Sequence, residues 1–108
     1  MNDKIAVNLS NLTEVDLDVL HQIDLSPNSS QRKLASTLGV SLGKINYCIQ
    51  ALIQKGFIKL GNFSKSNNKM SYAYFLTPKG VVAKIVLTKK FLAIKQAEYE
   101  KLYNYINY

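Results

Sequence analysis

A chain of 108 residues, 47% hydrophobic and 19% charged, is one globular domain's worth of sequence, and it has no apolar run near the roughly 18–20 residues of a bilayer crossing. One His, one Cys and seven scattered carboxylates leave no clustered metal ligands and no paired titratable groups, which excludes most enzymes and implies no cofactor. The net charge is +7, yet residues 25–97 hold twelve cations and no Asp or Glu, an asymmetry that points to a polyanion: nucleic acid first, an anionic membrane surface second.

Residues 1–11 alternate weakly (Ile5, Val7, Leu9) and read as a short strand or an arm. They lack the basic and then apolar pattern of a secretion signal, and Cys48 has no second cysteine to pair with, so the expected location is the cytoplasm. Thr13 is placed to cap a first helix, with Asp16 at N3 and Leu12 and Leu17 at the two ends of a hydrophobic staple. That helix runs to about residue 23, with Val15, Val19, Leu20 and Ile23 facing inward. Ser26-Pro27-Asn28-Ser29 ends it. Ser30 caps a second helix over about 31–38 that buries Leu34, Ala35 and Leu38, and Gly39 follows as a left-handed stop. Ser41 caps a third helix over about 42–55, whose apolar positions Ile45, Cys48, Ile49, Leu52 and Ile53 fall at i, i+3, i+4, i+7 and i+8.

Beyond Gly56 the period changes. Residues 57–60 are β-prone, 61–69 form a polar basic loop, and 70–76 alternate with period two, so a hairpin is predicted. Thr77-Pro78 starts a fourth helix that runs to about residue 87. Thr88 either caps a fifth helix over about 89–106 or lies in a continuous, bent one. The fold class is mainly α with a small β-hairpin.

The second and third helices, with small Ala35 at their crossing, Gly39 in the turn and Ile45 packing one on the other, read as a helix-turn-helix, and the hairpin behind them as its wing. An α-helix fits the major groove, and Asn or Gln pairs bidentately with adenine. Asn46, Tyr47 and Gln50 are therefore the expected base-edge readers. Ser41 and Lys44 at the helix start suit a phosphate, and Gly43 permits close approach. Arg32 and Lys33 on the second helix are candidate phosphate clamps, and the wing offers Lys65, Asn67, Asn68 and Lys69. The competing reading of each is an ordinary solvated surface.

The stretch 12–103 resembles the MarR-type winged-helix regulators. Within them it is similar to the group associated with exopolysaccharide gene clusters. The residues that carry the resemblance are Ser41-Leu42-Gly43-Lys44-Ile45-Asn46-Tyr47-Cys48, Ala51-Leu52-Ile53-Gln54-Lys55-Gly56, Tyr72-Ala73-Tyr74, Leu76-Thr77-Pro78-Lys79-Gly80 and Ala97-Glu98-Tyr99-Glu100. MarR-type wings commonly carry an Asp-x-Arg step, and this wing has neither Asp nor Arg. The resemblance implies regulation of polysaccharide biosynthesis genes, and a repressor is the expected kind of regulator.

Cys48 lies on the inward face of its helix and reads as a small buried hydrophobe, and His21 as a surface or capping residue. The last helix is apolar on more than one side: Leu92, Tyr99 and Ile106 recur every seven residues, with Phe91, Leu102 and Tyr103 beside them. A homodimer through these six residues would cover the stripe and space two recognition helices roughly 34 Å apart on a palindrome. The division expected is an arm (1–11), a winged helix-turn-helix domain (12–87) and a dimerisation helix (88–108). The leading function is sequence-specific recognition of double-stranded DNA. The alternatives are a winged-helix module that binds protein and a non-specific nucleic-acid binder.

Overall fold

The computed structural model describes residue 9 and residues 11–64 and 71–107. Over these residues the chain forms α1 (Glu14–Leu25), α2 (Gln31–Leu38), α3 (Leu42–Gln54), β1 (Ile58–Ser64), β2 (Ser71–Leu76) and α4 (Pro78–Ile106). This is the mainly α, winged helix-turn-helix order expected from the sequence.

Local chemistry explains the boundaries. Thr13 and Asp16 form a complete capping box: the Thr13 amide donates to Asp16 Oδ2 at 2.8 Å, and the Asp16 amide donates to Thr13 Oγ1 at 3.4 Å. Leu12 is buried and Leu17 half-buried in the same cluster. Ser30 and Ser41 cap α2 and α3, each accepting from the amide three residues on, at 3.0 Å. Gly39 ends α2 at φ 68° and ψ 32°, a left-handed conformation that β-carbon-bearing residues rarely adopt, and this permits the tight turn into α3.

One core binds these elements. Val19, Leu20 and Ile23 of α1, Leu34 and Ala35 of α2, and Ile45, Cys48, Ile49 and Leu52 of α3 meet Phe57, Ile58 and Tyr74 at the base of the wing, with Ala83 and Leu87 of α4. Full burial of a Leu, Ile or Phe side chain contributes about 1.5–3 kcal/mol, so this cluster outweighs every surface interaction in the chain.

The hairpin departs from the expected one. Strand β1 continues to Ser64, through Gly61 and Asn62, which read as loop. Register runs from Ile58 opposite Leu76 to Ser64 opposite Ser71, with an irregularity between Leu60 and Phe63. At Gly61 a Cβ would lie 2.0 Å from the Phe75 ring, so the aromatic side chain fills the space that the glycine leaves.

The step from wing to α4 is tightly built. The Thr77 amide donates to the Phe57 carbonyl at 3.0 Å, the Thr77 hydroxyl donates to the Gly56 carbonyl at 2.5 Å, and the Gly80 amide donates to Thr77 Oγ1 at 3.0 Å. A Cβ on Gly80 would meet the Phe57 carbonyl oxygen at 2.0 Å. This accounts for the Leu-Thr-x-x-Gly pattern: Thr caps and ties, and Gly lets the helix lie against the backbone behind it.

Helix α4 is continuous over 29 residues, about 43 Å. No separate fifth helix forms. Thr88 sits mid-helix, and its hydroxyl donates back to the Lys84 carbonyl at 2.7 Å, so it does not cap. Leu87 is the last fully buried side chain of α4, Phe91 is half-buried against the core, and residues 92–106 are exposed.

Two glycine substitutions are expected to act in opposite directions. Gly80→Ala should lower unfolding stability by about 3 kcal/mol, because backbone cannot move aside as a flexible side chain can. Gly43→Ala meets only Ser41 Oγ, at 4.0 Å, an ordinary contact, and should be neutral or raise stability by up to about 1 kcal/mol. Urea denaturation of the two variants checks both.

Candidate nucleic-acid interface

Burial of Ile45, Cys48, Ile49 and Leu52 fixes the rotation of α3 about its axis. The opposite face then presents Gly43, Lys44, Asn46, Tyr47 and Gln50, all exposed. Tyr47 is 71% exposed, an aromatic ring held in solvent with no part in the core. Ser41 stands at the exposed start of this helix, its oxygen engaged by the Lys44 amide. Arg32 and Lys33 lie exposed on the first turn of α2. The structure thus places the predicted residues of α2 and α3 at the surface. Lys65, Asn67, Asn68 and Lys69 of the wing lie outside the described residues.

Charge is divided by helix. Among the described residues two ion pairs form, and both join α4 to α1: Lys84 with Asp24 at 2.9 Å and Lys95 with Glu14 at 3.3 Å. Arg32, Lys33 and Lys44 pair with no described acid. Two cations of the acid-free stretch on α4 are therefore tied to α1, while Lys79, Lys89 and Lys90 of α4, like Arg32, Lys33 and Lys44, are exposed without a described acid.

Sequence reasoning missed two residues that meet this face. Asn46 Nδ2 donates to Gln31 Oε1 at 3.2 Å, and Gln31 Nε2 donates to the Tyr74 hydroxyl at 3.2 Å. Gln31 opens α2, and Tyr74 is a buried residue of β2 whose amide also donates to the Pro27 carbonyl at 3.0 Å. The partners are 15 and 43 residues apart in sequence, beyond the reach of any local pattern.

Cys48 is 2% exposed, and burial first, then its hydrogen bond with Asp16, pushes its thiol up to about 11 from an ordinary 9.0. Such a thiol is a packing group and not a nucleophile. His21 is exposed on α1. Among the described residues no group of three or more His, Cys, Asp or Glu is placed to hold a metal ion, and no helix is long and apolar enough to cross a membrane.

Of the residues expected at a dimer interface, Leu92, Tyr99, Leu102, Tyr103 and Ile106 are exposed on α4. The Tyr99 and Tyr103 rings lie 5.9 Å apart between centroids, tilted by 33°. Phe91 differs from the other five, being half-buried against the chain's own core.

Comparison with known proteins agrees with this geometry. Residues 12–59 match the family model described as winged helix-turn-helix DNA-binding. The fold is similar to the transcriptional regulator SlyA (22% identity, 89% of this chain and 72% of that one, TM-score 0.65). It is also similar to MarR (22% identity, 89% and 66%, TM-score 0.62). A third neighbour is Streptococcus pneumoniae FabT in complex with DNA (16% identity, 92% and 68%, TM-score 0.62). The chain thus spans about two thirds to three quarters of the length of these structures. No curated protein matches it. The fold is thus the winged helix-turn-helix fold of these solved structures, and its first part, residues 12–59, is what the DNA-binding family model matches.

The Cys48 environment carries a pH dependence. The folded state keeps the thiol proton up to about 11, whereas the unfolded chain releases it from about 9. Stability should therefore fall as pH rises through that window, by at most about 1.4 kcal/mol per pH unit. Denaturation midpoints of the wild type and Cys48→Ala should diverge least at pH 10.5 and most at pH 8. A disulfide reagent at pH 8 should label Cys48 only on unfolding.

Proposed function

We propose that this chain is a MarR-type, sequence-specific, double-stranded DNA-binding transcriptional regulator. It inserts α3 in the major groove and acts as a homodimeric repressor in the cytoplasm. The observation that carries the reading is the exposed face of α3: a polar set of Lys44, Asn46, Tyr47 and Gln50 with unpaired cations beside it, in a stretch of the chain without a carboxylate. Asn46 and Gln50 have the donor–acceptor pairs that match adenine, and Tyr47 offers a ring to a thymine methyl or a sugar. Ser41, Lys44, Arg32 and Lys33 set the register on phosphates, with Gly43 allowing close approach. Lys65, Asn67, Asn68 and Lys69 are assigned to the backbone or minor groove beside the site.

The apolar surface of α4 supports the dimer. Leu102 is 59% and Ile106 81% exposed, and they lie on a helix that runs on from the core without a described partner. An unsupported helical segment of this length is marginal in water, so covering that face stabilises it as well as hiding it. Phe91 would close the inner end of the interface. A dimer seated on a palindrome within a promoter represses by occupancy. The resemblance to the exopolysaccharide-associated group supports genes of polysaccharide biosynthesis as targets.

The test is binding to a duplex from the protein's own upstream region, against a scrambled duplex, over a salt series. The upstream site should win by about a hundredfold or more, with a steep salt slope. Asn46→Ala and Gln50→Ala should each erode that preference by roughly tenfold. Lys44→Ala should weaken both duplexes alike and lower the salt slope by about one. Equal, salt-sensitive binding to both duplexes would reduce the role to non-specific polyanion binding. No binding at low salt would leave a protein-binding module. Separately, Leu102→Lys with Ile106→Lys should turn a dimer into a monomer in sedimentation and weaken operator binding.

A further inference from the structure

Asn46 is not free on the recognition face. Its side-chain amide is the end of a chain of hydrogen bonds that starts in the core. Tyr74 is 7% exposed, so its ring is a fixed point, and its hydroxyl accepts from Gln31 Nε2 at 3.2 Å. That bond turns Gln31 Oε1 toward α3, where it accepts from Asn46 Nδ2 at 3.2 Å. A carboxamide rotated by half a turn would set its oxygen against the oxygen of Gln31, acceptor against acceptor. A Tyr74 hydroxyl that donated instead would turn both carboxamides over and leave Asn46 both N–H groups; with the hydroxyl accepting, as it does here, one orientation of Asn46 is favoured over its mirror. In that orientation Asn46 keeps its oxygen and one N–H unused.

We propose that Gln31 and Tyr74 are specificity-determining positioning residues, which hold the Asn46 carboxamide ready to read adenine and disfavour guanine at the base pair it meets. This rests on the reading of α3 as the base-reading helix. The chemistry is a count of donors. Adenine presents an acceptor and a donor in the major groove, N7 and the N6 amino group, which match the one N–H and the oxygen that Asn46 has left. Guanine presents two acceptors there, N7 and O6. A carboxamide with both N–H groups available can turn toward them, and one with an N–H already committed cannot. The lock also removes rotamer freedom before DNA arrives, so less is lost on binding. Gln31 stands on α2 and Tyr74 on β2, so the reading residue is tied both to the other helix of the motif and to the returning strand of the wing.

The experiment starts by selecting sites from a randomised duplex pool with the full chain. The base pair whose preference Asn46→Ala erodes is then measured as adenine and as guanine. The relay predicts adenine there. Gln31→Ala should reduce the adenine-over-guanine ratio about three- to tenfold. Affinity for a scrambled duplex, the salt slope and preferences at other positions should not move. Tyr74→Phe, which keeps the ring, should act in the same direction and less strongly. The double variant Gln31→Ala with Asn46→Ala should match Asn46→Ala alone. Gln31→Glu should retain the ratio, because a carboxylate accepts from both Asn46 and the Tyr74 hydroxyl, while its charge weakens all duplexes.

Several results would overturn the relay and leave α3 as the reader. These are an unchanged ratio in Gln31→Ala, a uniform loss with a shallower salt slope (Gln31 touching phosphate itself), additive losses in the double variant, or a preferred base other than adenine. Failure of Asn46→Ala to change any base preference, or failure of the chain to select any site, would remove the base-reading assignment and the relay together.

Discussion

The polar face of the helix-turn-helix depends on how α3 is turned. A helix advances about 100° per residue, so its outward face is decided by whatever its inward face must bury. Ile45, Cys48, Ile49 and Leu52 are all buried, and rolling α3 by one position would bring Asn46 and Gln50, or Lys44 and Tyr47, into two of their four places. The cost, two side chains at about 1.5–3 kcal/mol each, exceeds what any polar contact on the other side could return. Lys44, Asn46, Tyr47 and Gln50 are displayed because the core leaves them no other place. Gly39 contributes the second constraint. Its left-handed turn sets how soon α3 begins after α2, and so brings the first residues of the two helices, Gln31 among them, to the same side.

The wing and the last helix are governed by a separate joint around Phe57. This residue is buried, its carbonyl receives the Thr77 amide, and the backbone of Gly80 rests against it. Entry to and exit from the hairpin are thus fastened at one point inside the protein, however the tip of the wing is arranged. The ion pairs from Lys84 to Asp24 and from Lys95 to Glu14 add orientation more than stability, since exposed pairs contribute at most about 1 kcal/mol. They also sort the charges. Two acids of α1 are paired with two cations of α4, and Arg32, Lys33 and Lys44 of α2 and α3 have no described acid against them.

What could be read from the chain follows the range of the interactions involved. The starts of α1, α2 and α3 come from caps, and their buried faces from periodicity, both decided within a few residues, so Thr13, Ser30, Ser41 and the stripe of α3 stood where expected. The buried carboxylate of Asp16 was legible as half of a capping box, though its contact with Cys48 across the core was not. Strand β1 ran on through Gly61 and Asn62 because Phe75, a residue of the opposite strand, fills the gap that the glycine leaves. Thr88 looked like a cap, for a threonine followed by lysines satisfies the local rule. Inside a helix, the same hydroxyl bonds back one turn, and flanking packing decides between the two. The relay through Gln31 was illegible for the plainest reason: its members are held together by tertiary structure alone.

The continuity of α4 bears on how the proposed dimer would meet DNA. With a break at Thr88, recognition and association would be joined by a hinge, and the separation of two recognition helices would be set by whichever spacing the DNA imposed. An unbroken helix removes that freedom. Its first turn is seated on Phe57 through Gly80, its middle packs Ala83 and Leu87 into the same core as α3, and its far end carries Leu102 and Ile106. The angle at which two such helices cross would therefore fix the distance between the two α3 faces, with only bending of a helix to absorb a mismatch. A site with half-sites displaced by a single base pair would move one face by about 3.4 Å along the axis and rotate it by roughly 35°. Such a dimer could accept that only by straining α4 or giving up contacts at one half-site. Spacing between half-sites would then be discriminated by the core that anchors α4, at a distance from every residue that touches a base.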